Sequence, residues 1–298
     1  MREYLEQFFE RFDYPQPARE TLTAAYEIVQ ADSDAKAIFD GYLNEYIDRI
    51  HCDFGAQLRG CAALARRLPV SPYTLQLLLF ICHSAHTLAL YRERSMDEQI
   101  WHDSMLDLKY KLDECHVVYG VWGSFVCEWF PRFFTLERFA LGRLQFEWET
   151  LGKAYEGQDI TLSEGARVVQ LHIPRSGEPL SAARCDDSFA RAVEFYTPQL
   201  KEGEPLVFTC SSWLLYPENE HIIPEGSNIR AFMRRFDIYR HGTHGGDHPD
   251  LWRLFDTMEK NPDRLPADSS LRRAYIDHLK KGGKTGWGYG VIVAKSGK

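Results

Sequence analysis

The sequence predicts an α+β chain, an all-helical front half followed by a mixed α/β rear half. Through residue 140 the apolar side chains recur three and four apart, the helical period. After Thr135 the period becomes two, in short runs rich in β-branched and aromatic residues. A single core stops growing near ~250–300 residues, so a chain of 298 is expected to hold two domains, 1–138 and 139–298.

In the front half Tyr4, Leu5, Phe8, Phe9 and Phe12 form one helical stripe, which Pro15 and Pro17 end. Helices are expected over 18–30 and 35–50, the second with Ile38, Phe39, Tyr42, Leu43 and Tyr46 on one face. Ser71-Pro72 is a helix start, a serine cap followed by proline where no donor is lost. The helix after it, 73–94, is apolar on most sides and is predicted to be the centre of its domain. Another helix is expected over 95–118, with Asp97 and Glu98 at its positive end. Gly120, Gly123 and Pro131 are expected to end the helical run.

In the rear half Leu144, Phe146 and Trp148 alternate with Gln145, Glu147 and Glu149, the pattern of a half-buried strand. Further strands are expected over 168–173, 206–215, 235–239 and 287–293, and 160–164 reads as a short polar stretch. Helices are expected over 186–196, 227–233, 251–258 and 271–281, the last closed by Gly282-Gly283. Residues 241–250 read as loop. Strands separated by helices make a layered α/β or α+β arrangement.

A net charge of -8 argues against a general nucleic-acid surface. The longest apolar run, 75–90, is interrupted by Gln76, His83, Ser84 and His86 and falls short of the ~20 residues that span a bilayer, so no membrane partner is expected. Arg2, Glu3, Glu6 and Glu10 exclude a signal peptide. Seven cysteines, irregularly spaced and without a CxxC, read as free thiols of a cytoplasmic protein.

Several groups have the chemistry of a site. The loop Pro174-Arg175-Ser176-Gly177-Glu178-Pro179 joins a strand to a helix, where backbone N–H groups and a guanidinium can meet a phosphate. Its single glycine also suits an ordinary turn. Cys210, Ser211, Ser212 and Trp213 put small polar groups in a strand; they can bond a ligand amide or neighbouring backbone. His241, His244, Asp247 and His248 offer metal-ligating atoms, but on a glycine-rich loop that gives them no fixed geometry, and no metal is expected. His83 and His86 read as core or interface residues, as do Cys115 and His116. Glu147 and Glu149 share one strand face, where a carboxylate shielded by aromatics can serve as a base or simply face solvent.

The segments 139–147, 171–174, 211–215, 227–229 and Gly286-Trp287-Gly288-Tyr289-Gly290 resemble a bacterial acyltransferase family, as do 108–112 and 119–123 in the front half. That family pairs a helical N-acyltransferase N-terminal domain with a GNAT-like C-terminal domain. The resemblance implies two neighbouring parallel strands, 168–173 and 206–215, that splay to admit the arm of an acyl-CoA co-substrate. It implies Ile173, Arg175, Ser176, Gly177, Ser211 and Trp213 along the cofactor, with the helix 186–196 aimed at the pyrophosphate. It implies Glu147 or His172 as base for a small-molecule amine or peptide acceptor, and Tyr216 or Tyr239 as the acid that protonates the leaving thiolate. The loop 175–180 departs from the usual Arg/Gln-x-x-Gly-x-Gly/Ala pattern, and Pro179 removes a donor. The segment 271–281 stands where a plain hairpin is expected. The alternatives are a non-catalytic GNAT-like binding module, and a hydrolase with a metal on His241, His244 and His248; fold likeness alone does not choose between them.

Overall fold

Asp32, Asp53, Ser71 and Asp97 each turn a side-chain oxygen onto a helix's first free N–H groups, so the front half is divided into helices by its own caps. The computed structural model describes residues 1–158, 160–246 and 248–294. It divides into two compact units, Met1–Phe139 and Ala140–Lys298.

The first unit contains α1 (Arg2–Arg11), α2 (Gln16–Ala31), α3 (Ser33–Asp48), α4 (Phe54–Ala65), α5 (Pro72–Glu93), α6 (Glu98–Tyr119) and the single turn α7 (Pro131–Phe134). As expected, α5 is central: it packs against α1, α2, α3, α4 and α6, and Leu75 through Ser84 are buried apart from Gln76. At 22 residues α5 has the length expected, and by length and composition it passes for a membrane span, which the interrupted run 75–90 did not suggest. Yet 72% of its most apolar stretch is buried inside the protein. Pro131 starts α7 rather than ending the run, because proline suits a helix's first turn. The helix α4 has no counterpart in the sequence reading.

The second unit is built on a six-stranded sheet of order β1-β2-β5-β6-β8-β7. Its strands are β1 (Arg138–Leu141), β2 (Leu144–Thr150), β5 (Arg167–His172), β6 (Val207–Ser212), β7 (Asp237–Thr243) and β8 (Gly286–Val293); β3 (Tyr155–Glu156) and β4 (Thr161–Leu162) form a separate hairpin. The pairs β2–β5, β6–β8 and β7–β8 are antiparallel, whereas β5–β6 is parallel. A parallel neighbour needs a crossover, supplied by α8 (Ala182–Tyr196), capped by Ser181. Phe189 of α8 packs edge-on against both Phe146 and Phe208, and Ser188 Oγ accepts from Leu144 N–H at 3.2 Å.

Several elements differ from the sequence reading. β2 is buried on both faces: Gln145 and Glu147 are 1% and 2% exposed, as hidden as Phe146. β6 ends at Ser212, and Trp213–Leu215 form a 3-10 turn because Ser212 Oγ accepts from Leu214 N–H and starts that turn. β7 takes in His241, Gly242 and Thr243, which the sequence reading placed in a loop; their register partners Gly288, Trp287 and Gly286 hold them. Between β7 and β8 lie α11 (Leu251–Phe255) and α12 (Ser270–Lys280), packed with Ile223 and Leu265 into a small core; α9 (Asn219–Ile222) and α10 (Asn228–Met233) precede β7.

The alternating glycines of β8 have a steric cause. A Cβ on Gly288 would stand 2.0 Å from Leu215 O, and one on Gly290 2.6 Å from Phe236 Cβ. The chain crosses that face too closely for side chains, so Trp287 and Tyr289 both project from the other face.

Candidate functional site

Paired residues of a sheet point to the same face, so the registers define one face of the second unit. Gln145 lies opposite His172 and Glu147 opposite Gln170; Gln170 pairs with Thr209, and Ser211 lies opposite Tyr289. Polar side chains from four strands thus share one surface. One end of it is closed by Leu151, Tyr155 and Leu162, packed with Val168, Val207 and Val291.

At the other end the sheet opens. The parallel ladder between β5 and β6 has two rungs, Val169 with Phe208 and Gln170 with Thr209. Beyond them β5 continues along β2 to His172, and β6 continues along β8 to Ser212, but the two are no longer bonded to each other. His172 stands on one lip of the gap and Ser211 on the other.

Glu147 and His172 are diagonal neighbours on β2 and β5, and His172 Nε2 lies 2.7 Å from Glu147 Oε1. Their side chains are 3% and 16% exposed. A carboxylate buried on a strand face is expensive unless bonded, and the imidazole N–H meets that need. With Glu147 ionised, Nε2 donates and the neutral ring carries its lone pair on Nδ1, the form of a general base.

The remaining expected residues are dispersed. Ile173 and Ser176 are half-buried beyond β5, and Gly177 takes a left-handed φ of 76° in the turn. Arg175 is engaged: its Nη1 lies 2.8 Å from Asp256 Oδ1, and Arg272 Nη2 holds the other oxygen of Asp256 at 2.6 Å. The loop is held from beneath by Arg143, which donates to Pro174 O and Glu178 O. Trp213 belongs to the 3-10 turn and packs edge-on against Tyr275. Tyr216 is buried at the end of that turn, and burial raises its pKa. Tyr239 donates to Lys153 O at 3.3 Å on β7, four strand spacings (roughly 19 Å) from Glu147 in β2. The geometry therefore unites Glu147, His172 and Ser211 around the gap, and sets Tyr216 and Tyr239 apart from that pair.

Tyr289, named in the family-like segment but not among the expected site residues, lies beside Ser211 on the polar face. Its burial raises the phenol pKa, against a smaller opposing effect of Thr209. Cys210 is fully buried on the opposite face and burial raises its thiol pKa, so it is no nucleophile for this gap. The histidine segment has other partners: His244 lies 3.1 Å from Asp250, and His248 bonds Thr285. Asp247 lies outside the described residues, and among the described residues no three His, Cys, Asp or Glu gather as a metal site.

A family of GNAT-like C-terminal domains matches residues 139–292, and one of N-acyltransferase N-terminal domains matches residues 3–136. The chain belongs to this N-acyltransferase family. Solved structures share its fold. An acyltransferase variant in complex with octanoyl-CoA superposes with a TM-score of 0.76 at 23% identity, over 98% of this chain and 88% of that one. An acyltransferase in complex with decanoyl-CoA and teicoplanin gives 0.74 at 24%, over 97% and 87%. Another, with CoA and 10C-teicoplanin, gives 0.76 at 23%, over 97% and 87%. No curated protein matches the chain. Within the GNAT-like domain the match takes in β1 through most of β8, and with them the whole gap and its Glu147–His172 pair.

Proposed function

We propose that the chain is an acyl-CoA-dependent N-acyltransferase that moves an acyl group to an amine by direct attack in the gap between β5 and β6. The observation that carries this reading is the two-rung ladder, which opens beside a buried carboxylate–imidazole pair. The structural relatives hold octanoyl-CoA, decanoyl-CoA or CoA and, in two cases, teicoplanin or 10C-teicoplanin. Medium-chain thioesters are accordingly the donors to try first, and an amine on a peptide or small molecule the acceptor.

In this reading the CoA arm enters between the strands, and its pyrophosphate meets the loop 174–179, where Arg175 exchanges Asp256 for phosphate. The amine nitrogen attacks the thioester carbon; a C–N bond forms as the C–S bond breaks. His172 Nδ1 takes the ammonium proton, and Glu147 holds the resulting imidazolium. Tyr289, kept protonated by burial, supplies a proton to the departing thiolate.

The test is thiol release from octanoyl- and decanoyl-CoA with an amine panel, alongside calorimetry of CoA binding. Binding and acceptor-dependent release are expected from the native chain, and binding with little release from His172→Ala. Absence of CoA binding sinks the reading. Binding with no release, indifferent to Glu147→Gln and His172→Ala, makes the domain a non-catalytic binding module.

A further inference from the structure

We propose that the polar face carries an acceptor subsite on β7 and β8, where Arg240, set between Trp287 and Tyr289, takes a carboxylate, so that the acceptor is a short peptide with its amine at one end and its carboxylate at the other. The register brings these residues together. Tyr289 of β8 stands opposite Ser211 of β6 on one side and opposite Arg240 of β7 on the other, so the face that holds the lip of the gap runs on to Arg240. The ladder shifts between Ile238 and Arg240, and this bulge turns Tyr239 to the same face, where its ring meets Tyr289 edge-on at 5.7 Å. Trp287 lies two residues along β8 from Tyr289. A Cβ on Gly242, opposite it, would stand 3.1 Å from its Nε1, so the indole lies along β7 where a glycine leaves it room.

Arg240 is half-buried, and its Cζ stands 5.9 Å from the centroid of each of the two rings. Among the described residues its guanidinium makes no hydrogen bond and no ion pair. Asp237, the one acid on either strand, is already bonded to Tyr155 Oη at 2.6 Å. By contrast Arg175, Arg230, Arg234, Arg235 and Arg272 of the same unit each face a carboxylate. A guanidinium on an aromatic bed is weakly hydrated, and its planar fork matches a carboxylate with two parallel donors. The Nε1–H of Trp287, likewise without a hydrogen-bond partner among the described residues, adds a third. From the gap to β7 is two to three strand spacings, roughly 10–14 Å. An extended peptide covers that in about three or four residues. An amine in the gap and a carboxylate on Arg240 are therefore the two ends of one small acceptor.

This inference rests on the transferase reading for the place of the amine, but its test is peptide binding and needs no turnover. The probes are tetraglycine and its C-terminal amide, which differ in charge at one end. Titrated into the full ¹⁵N-labelled chain, tetraglycine should bind at least about tenfold more tightly, the worth of one hydrogen bond to a charged group. The indole ¹H–¹⁵N resonance of Trp287, assigned with Trp287→Phe, should move with the acid and stay with the amide, a readout in the native chain. Arg240→Gln should abolish the preference for the acid. Equal affinity for acid and amide, an unmoved Trp287 resonance, or the preference retained in R240Q would each overturn the proposal. So would a fall in CoA affinity in R240Q as large as the fall for tetraglycine, which assigns the cation to the cofactor's phosphates. If CoA does not bind, the transferase reading fails, and the acid-to-amide ratio still decides for or against the carboxylate subsite.

Discussion

Glu147 meets an imidazole where its strand alone left a base and a solvated face both open, and this decides what its replacement does. Glu147→Gln preserves shape and can still accept from Nε2, but it cannot balance an imidazolium. Acceptor-dependent kcat/KM should fall roughly 10²–10⁴-fold, the range of a general base, with CoA affinity unchanged by calorimetry. His83 sets a different pH dependence. Its burial lowers its pKa from 6.5 to about 3, so below 6.5 the unfolded chain binds a proton that the folded chain refuses. That contribution is whole above pH 6.5 and shrinks as pH falls towards 3, by about 1.4 kcal/mol per unit. Denaturant unfolding at pH 7 and pH 5 should show the loss, and His83→Gln should flatten it. At this scale the sequence was legible in residue types. The polar residues at period two, Gln145 and Glu147, Gln170 and His172, Thr209 and Ser211, were visible, and so was Tyr289. That they share one face was not, because it depends on register between strands far apart in the chain.

Among the elements, β8 is the strand most constrained by its neighbours. Gly288→Val would drive a side chain into the Leu215 carbonyl, and since both are main chain neither can yield cheaply. A loss of about 1–3 kcal/mol or more is expected, read as a lower Tm. Helices with strong punctuation, such as the one begun by Ser71-Pro72, were legible almost to the residue. Where the sequence reading erred, a local hydrogen bond had overridden pattern. Ser212 turns an apolar run into a 3-10 turn, moving Trp213 and Tyr216 off the strand. A ladder partner did the reverse for His241–Thr243, converting glycine-rich loop into strand. Neither α4 nor the hairpin β3–β4 was anticipated. In α4, Leu58, Cys61, Leu64 and Ala65 do share a helical face, but small residues and glycines dilute the signal.

For the molecule as a whole, all seven cysteines are free and buried, and in every one burial raises the thiol pKa. The native chain should therefore resist iodoacetamide at neutral pH, and the seven thiols should label together only on unfolding. Rapid labelling of one thiol in the native state would contradict the packing described. The division into a helical and a mixed unit was readable because the front half keeps the helical period throughout, whereas period-two runs begin only after Thr135. The gap in the sheet was not readable from periodicity. It depends on where a two-rung ladder stops, and it was expected only from the family likeness.

That short ladder also makes the sheet mechanically two sheets. β2 and β5 zip along six positions, as do β6 and β8, yet a seam of two rungs is all that stitches one group to the other. Phe189 of the crossover helix reaches a ring on each side of it and acts as the rivet. Amide exchange should be fastest at the seam, around Val169 and Phe208, and slowest in the flanking ladders. Phe189→Ala should widen that difference, loosening the join while each half-sheet keeps its own protection.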